Sequence, residues 1–303
     1  MVTVNELVKT YGQQKDIVAV DHVSFSVEKA EIFGLIGPDG AGKTSLFRML
    51  TTLLLPDSGS ASVNGFDIVK DYKKIRSSVG YMPGKFSLYQ DLSVEENLNF
   101  FATVFGTTLQ ENYDLIKDIY VQLEPFKKRR AGKLSGGMKQ KLALCCALIH
   151  KPDVLFLDEP TTGVDPVSRR EFWEMLKRLK MQNITILVST AYMDEASMCD
   201  RIALMHNGKI LSIDTPAGIS ASYSDQLFAV KAENMSKLLK ALSGCEQVLS
   251  CYSFGQYAHV SVKRSEQNID EILNKCLENT SYEKLQINPI QATVEDCFIK
   301  LLN

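Results

Sequence analysis

A lysine, a threonine and a run of glycines at fixed spacing are the first residues here that could do chemistry. Gly37-Pro38-Asp39-Gly40-Ala41-Gly42-Lys43-Thr44-Ser45 contains the order G-x-x-x-x-G-K-T. Glycine reaches backbone angles closed to other residues, so successive amide N–H groups can turn inward and cradle phosphate oxygens. Lys43 would reach the β- and γ-phosphates of a nucleotide, and the Thr44 hydroxyl would hold Mg²⁺. A dinucleotide fingerprint is excluded, because it needs a third glycine where Ser45 stands.

A strand must feed such a loop and a helix must leave it. Ile32-Phe33-Gly34-Leu35-Ile36 is an apolar run of strand length, and Ser45-Leu46-Phe47-Arg48-Met49-Leu50 reads as the opening of a helix with its positive end at the phosphates. Upstream, residues 2–8, 18–20 and 23–27 read as strands broken by Tyr11-Gly12-Gln13-Gln14, which puts Tyr11 in a turn where it could stack a base. Downstream, 60–63 with Asn64-Gly65 reads as a hairpin and 79–83 as a strand. Ser93-Val94-Glu95-Glu96 is a capping box opening a mostly helical segment to about residue 130, where Lys127-Lys128-Arg129-Arg130 reads as a solvated face. A helix over 139–150 follows Leu134-Ser135-Gly136-Gly137-Met138. The continuous apolar run Val154-Leu155-Phe156-Leu157 is that of a parallel strand buried on both faces, ended by Asp158-Glu159-Pro160. A helix at 166–179, a strand at 184–189, a short helix at 192–199 and a hairpin around His206-Asn207-Gly208 complete an α/β core with a mainly parallel sheet.

The periodicity breaks between residues 215 and 226, which sets a first domain at 1–220 and a second at 226–303. The second reads β-α-β-β-α-β, the ferredoxin-like order of a small α+β domain, with a helix added at 294–302. Its inner elements fall at 227–232, 235–242, 247–253, 257–263, 269–277 and 282–287.

Composition limits the function classes. Of 303 residues, 45% are hydrophobic and 23% charged, and the net charge of -2 offers no electrostatic case for nucleic acid. No apolar stretch approaches the roughly 18 residues that a membrane helix needs, and the start has no charged-then-apolar leader. The chain is therefore expected in the cytoplasm, with membrane contact only through a partner. Its seven cysteines form no C-x-x-C pair and read as reduced, mostly buried thiols.

With Leu134-Ser135-Gly136-Gly137 lying between a phosphate loop and a strand ending in Asp158-Glu159, residues 1–215 resemble the nucleotide-binding subunit of an ATP-binding cassette (ABC) transporter. The resemblance implies a P-loop NTPase cassette with a parallel core, an antiparallel β subdomain and a helical subdomain spanning about 92–150. It implies that ATP is bound through residues 37–45 with Tyr11 against the adenine, that Thr44 and Asp158 hold Mg²⁺, and that Lys43 and Glu159 are catalytic, Glu159 as general base. Ser135, Gly136 and Gly137 would meet the γ-phosphate of ATP held by a second cassette, with Asp165 crossing the same interface. A single phosphate loop then implies a partner cassette, in a heterodimer or a homodimer. The tail Ala292-Thr293-Val294-Glu295-Asp296-Cys297-Phe298-Ile299 is similar to that of the drug- and polysaccharide-export branch, whose subunits sit on the inner face of the membrane beneath a separate permease. The segment 92–128 with the loop 84–89 would receive that permease.

This sequence departs from the family at three positions. The usual glutamine that touches Mg²⁺ and the attacking water is Gly84, the usual histidine at the γ-phosphate is Ala191, and the glutamine after the double glycine is Met138. Gly84 and Ala191 would both face ATP on this chain's own phosphate loop. Each lost contact to transition-state charge costs about 3 kcal/mol. The expected result is a site that binds ATP and hydrolyses it slowly, unless a group such as Gln90 substitutes. A non-hydrolysing regulatory subunit and a soluble ABC ATPase outside transport are the alternatives.

Overall fold

The computed structural model describes residues 1–12, 16–263, 276 and 285–302, in two compact units, Met1–Pro216 and Ala217–Asn303. The first unit begins with strands β1 (Val2–Tyr11), β2 (Ile17–Val27) and β3 (Ile32–Ile36) and helix α1 (Lys43–Leu50). A hairpin of β4 (Ser58–Val63) and β5 (Phe66–Asp67) precedes α2 (Tyr72–Ser78) and β6 (Val79–Met82). Helices α3 (Val94–Val104), α4 (Tyr113–Tyr120) and α5 (Gly136–Leu148) are followed by β7 (Val154–Asp158), α6 (Pro166–Met181) and β8 (Thr185–Thr190). The unit closes with the hairpin β9 (Arg201–His206) and β10 (Lys209–Asp214).

Six strands form one sheet in the order β10-β9-β3-β8-β7-β6, parallel except where β10 pairs with β9. Every residue of β3, β7 and β8 is buried, as strands covered on both faces must be. α1 seals one face: Leu46, Phe47, Met49 and Leu50 are all buried, and the Phe47 ring meets Phe156 of β7 edge-on at 5.5 Å. Each such side chain contributes about 1.5–3 kcal/mol of burial. A separate antiparallel sheet, β2-β1-β4-β5, packs Val2, Val4, Leu7 and Val20 into the same core. Among the described residues no helix is long and apolar enough to cross a membrane.

The capping box is present, with Ser93 Oγ accepting from Glu96 N–H at 3.2 Å and Glu96 Oε2 accepting from Ser93 N–H at 2.7 Å. Two local expectations are corrected. The strands at 18–20 and 23–27 are one strand, because His22 takes a left-handed φ of 50° and the pairing with β1 shifts register rather than breaking. Tyr11 is the last residue of β1 rather than part of a turn.

Helix α7 (Pro216–Ala221) marks the division between the units. The second unit contains β11 (Gln226–Lys231), α8 (Met235–Ser243), β12 (Val248–Phe254), β13 (Tyr257–Val262), β14 (Gln286–Ile290) and α9 (Val294–Leu302). Its sheet is antiparallel throughout in the order β12-β13-β11-β14, with Phe228, Val230, Leu238, Leu242, Val260 and Val262 in its core. Most of the helix expected at 269–277, and the first part of the strand expected at 282–287, lie outside the described residues. The expectation of free thiols fails at one pair: Cys245 and Cys276, with Cα atoms 5.8 Å apart, form a disulfide. Their separation of 31 residues hid the pairing.

The tail motif has a structural task in this unit. Thr293 and Asp296 cap α9 reciprocally, with Thr293 N–H and hydroxyl on Asp296 Oδ2 at 2.7 and 2.6 Å and Asp296 N–H on Thr293 Oγ1 at 3.3 Å. Asp296 is 1% exposed, and its Oδ1 also takes Tyr252 Oη of β12 and His259 Nδ1 of β13, the latter at 2.6 Å. Burial opposes its ionisation, but the bonds from His259, Thr293 and Tyr252 prevail and hold the carboxyl below its ordinary value. A carboxyl depressed in this way stabilises the fold above its unfolded pKa, and that stability is lost as the pH falls through the folded value. Asp296→Asn should therefore destabilise the second unit by about 3 kcal/mol at neutral pH, with the deficit narrowing on acidification. Hydrogen exchange across β12 and β13 at pH 7 and pH 4 would measure both effects, and unchanged exchange at pH 7 would refute them.

Candidate functional site

β3 delivers the chain into the glycine loop. Gly37 N–H donates to Thr190 O at 3.2 Å, which ties the loop to the end of β8, and Ala41 N–H donates to Pro38 O at 3.2 Å. Gly42 has φ 106°, and a Cβ there would lie 2.0 Å from Ala19 O, so only glycine fits. Gly40 has φ 82°, and a Cβ there would meet nothing within 4 Å, so the loop rims open space rather than packed chain. Asp39 and Gly40 are exposed at its tip, Pro38 is half-buried and Ala41 is buried.

Lys43 is the first residue of α1 and only 3% exposed. Its ammonium donates to Gly37 O at 2.8 Å and Pro38 O at 3.0 Å, and lies 3.3 Å from Glu159 Oε1. Thr44 and Ser45 follow, both half-buried, with Ser45 Oγ 3.1 Å from the Tyr11 hydroxyl. Tyr11 thus lies at the start of α1 although it comes from the antiparallel sheet. Asp57 holds that strand end: Thr10 N–H and hydroxyl donate to Oδ2 at 2.7 and 2.8 Å, and Lys9 Nζ reaches Oδ1 at 3.1 Å. Led by the bonds from Thr10, these contacts pull the Asp57 carboxyl down to about 2.

The acid pair lies at the end of β7. Asp158 is 2% exposed, and its Oδ1 receives the Ser189 hydroxyl at 2.5 Å. Glu159 N–H donates to both Ser189 O and Ser189 Oγ, at 3.0 and 3.1 Å. Glu159 itself has φ 49°, a left-handed conformation costly for a non-glycine residue, and it turns the carboxylate toward Lys43. Ser189, at the end of the strand expected at 184–189, is the polar residue that fixes both members of the pair. Its only signal is positional, since Ser189 pairs with Asp158 in register across β7 and β8.

Gly84 lies against this pair: a Cβ there would sit 3.1 Å from Asp158 O and 3.8 Å from Glu159 Cβ. Its φ is not left-handed, so a side chain would need only a few tenths of an ångström of adjustment. Ala191 follows β8 with a methyl group alone, in a turn closed by Tyr192 N–H on Thr190 Oγ1 at 3.0 Å. Gln90 does not take over at Gly84, because its backbone carbonyl binds Gly132 N–H at 2.9 Å and its side chain lies against Gly132.

Ser135 caps α5, its Oγ accepting from Met138 N–H at 3.3 Å, and both Ser135 and Gly136 are exposed. Gly137 is pressed to α6: a Cβ there would come 3.0 Å from Ser168 Oγ. Asp165 caps α6 through Val167 and Ser168 N–H at 3.1 and 3.0 Å, and these bonds, those of Ser168 foremost, keep its carboxyl below the ordinary value. Ser135, Gly136, Gly137 and Asp165 thus gather where α5 meets the loop before α6, while Lys43, Thr44, Asp158, Glu159, Gly84 and Ala191 belong to the phosphate loop and the adjoining strand ends.

A groove of about 300 Å³ lies alongside, lined by Tyr81, Leu88, Phe101, Phe105, Cys146 and His150. His150 stacks on Phe105 at 3.8 Å, its Nε2 lies 3.0 Å from Val79 O, and burial lowers its pKa and favours the neutral ring.

This arrangement can hold a polyphosphate on Lys43 and the loop amides, and can present a carboxylate to water beside it. Among the described residues no group of three or more His, Cys, Asp and Glu could hold a metal. A cation between Thr44 and Asp158 would have hydroxyl and carboxylate oxygens as ligands, the donor type that Mg²⁺ prefers.

Comparison with known proteins agrees with this geometry. The ABC transporter family model matches residues 20–162. The probable multidrug ABC transporter ATP-binding protein YbhF of Escherichia coli is 40% identical over 308 residues, covering 100% of this chain and 52% of the relative. The chain thus spans about half of that relative's length. NatA of Bacillus subtilis, an ABC transporter ATP-binding protein, is 37% identical over 216 residues, covering 70% of this chain and 88% of NatA. The doxorubicin resistance ATP-binding protein DrrA of Mycobacterium tuberculosis is 40% identical over 217 residues, 71% of this chain and 65% of DrrA. A solved ATP-binding subunit of an ABC transporter superposes with TM-score 0.66 at 28% identity, covering 73% of this chain and 92% of that one. CbiO1 of Clostridium perfringens, part of the cbiONQ complex, gives TM-score 0.64 at 26% identity, 73% of this chain and 90% of that one. With the family model matched and 88% of NatA covered at 37% identity, the chain belongs to the ATP-binding cassette family of ABC transporters.

Proposed function

We propose that the chain binds and hydrolyses ATP to power export through a separate membrane permease, lying on the cytoplasmic face of the membrane through that permease. It is the slower half of an asymmetric pair of cassettes. The observation that carries this reading is the buried Lys43 held 3.3 Å from Glu159 beside Asp158, at a site where positions 84 and 191 supply no polar side chain. The names of YbhF and DrrA, for multidrug transport and doxorubicin resistance, support export as the class of work.

In this reading residues 37–45 bind the triphosphate, Tyr11 stacks the base, and Thr44 with Asp158 holds Mg²⁺, whose charge offsets that of the phosphate oxygens. Glu159 takes a proton from the attacking water. The Lys43 ammonium leaves Gly37 O and Pro38 O for the β- and γ-phosphates. Ser135, Gly136 and Gly137 complete the partner's site through a hydroxyl and unpaired amides at the start of α5. The aromatic groove beside Phe101 and Phe105 receives the permease. A non-hydrolysing regulatory subunit is favoured by Gly84 and Ala191 and opposed by Glu159, which that role does not need.

Three measurements test these assignments. In the assembled complex, Glu159→Gln in this chain should leave most ATP turnover intact while the equivalent change in the partner cassette removes it; the opposite pattern reverses the asymmetry. For the purified chain, the double change Gly84→Gln with Ala191→His should raise turnover at least about tenfold, since each restored contact is worth about 3 kcal/mol at full strength. No gain would mean that these positions do not limit hydrolysis. Ser189→Ala should weaken Mg²⁺-dependent ATP binding by about tenfold with little change in metal-free binding, and an equal loss in both would assign Ser189 to folding alone.

A further inference from the structure

Glu195 is 2% exposed and has no part in the phosphate site as assigned. Its Oε1 accepts the Thr161 hydroxyl at 2.6 Å and lies 3.6 Å from Arg169 Nε. The Arg169 guanidinium also covers the Tyr192 ring at 4.1 Å and lies 3.7 Å from Asp194 Oδ2. One buried carboxylate therefore joins three segments: the loop after β7, the second turn of α6 and the turn after β8.

Each segment leads to a different part of the site. The turn after β8 starts at Thr190, whose carbonyl receives Gly37 N–H of the phosphate loop, and it contains Ala191. The loop after β7 starts at Glu159, with Thr162 N–H on Glu159 O at 3.2 Å and Val164 N–H on Thr161 O at 3.1 Å, and it ends at Asp165. Within it Gly163 O faces Gly136, and beyond it Ser168 faces Gly137. Contacts thus run from the phosphate loop through Glu195 to the residues that would be offered to a second cassette.

A purely structural role is a poor account of this carboxylate. Burying a charge costs several kcal/mol, and apolar side chains of similar volume stabilise such a position as well or better. What an apolar side chain cannot do is hold a hydroxyl on one loop and a guanidinium on a helix at once. Ala191 offers only a methyl group, and the turn reaches α6 through Tyr192, Asp194 and Glu195, which all meet Arg169.

We infer that Glu195, with Thr161 and Arg169, is a positioning cluster that transmits nucleotide occupancy of the phosphate loop to the Asp165 loop and the start of α5. The inference rests on the proposed ATP-binding function and adds to it a route by which this chain, though slow in hydrolysis, reports its bound nucleotide to the partner.

Amide hydrogen exchange of the full chain with and without MgATP tests the inference. In the unmodified chain MgATP should slow exchange at least threefold both in residues 37–46 and in residues 162–168. Glu195→Gln, which keeps the shape but not the charge, should retain protection in 37–46 and lose it in 162–168. Thr161→Val should behave likewise, and Thr161→Ser should restore the response, which a mere packing role would not predict. Equal protection of 162–168 in all variants, or none there in the unmodified chain, overturns the inference. Absence of protection in 37–46 of the unmodified chain would instead overturn the ATP-binding reading. Should Glu195→Gln fail to fold, the Thr161 pair decides alone.

Discussion

The pairing of β7 with β8 is the constraint on which the rest of the first unit depends. In parallel register it sets Asp158 opposite Ser189, so a single hydroxyl both fixes the Asp158 carboxylate and accepts the amide of Glu159. β3 pairs with the other side of β8, which brings Gly37 to Thr190 and so places the phosphate loop next to the acid pair. Any slip of β8 would separate Lys43 from Glu159. The uninterrupted burial of these strands makes such a slip expensive, with α1 and its Phe47 packed on β7 and α6 packed on β3 and β8.

Lys43 shows how the site holds its shape. An ammonium at 3% exposure must be paired, and here two loop carbonyls and one carboxylate supply the pairing. These partners also fix its direction. The loop carbonyls are the groups a phosphate would replace as partners of the charge, so the cation is aimed before any anion arrives, and little reorganisation remains to be done.

Much of this was legible in the sequence because it is local. The glycine loop, the Ser93 cap, the apolar run of β7 and the hairpin at Asn207-Gly208 are each written in a few consecutive residues. Ser189, Asp57 and Glu195 were not legible, because each acts on a residue tens of positions away in the chain, brought near by strand order. The Cys245–Cys276 disulfide was hidden for the same reason. The continuous β2 was missed for a different one: a bulge at His22 looks like a strand end when only the side-chain pattern is read. Gly84 and Ala191 were visible as departures, but only the backbone shows that position 84 would accept a side chain with slight adjustment.

The left-handed conformation of Glu159 bears on what this turn can become. Glycine adopts that conformation without strain, whereas a glutamate there carries a penalty of about 1–3 kcal/mol. Glycine there would relieve that strain and at the same time remove the carboxylate that sits 3.3 Å from the buried Lys43 ammonium. The strained glutamate and the buried ammonium are therefore bound to one another's fate: relaxing the turn would strand the charge, so neither feature can be given up alone.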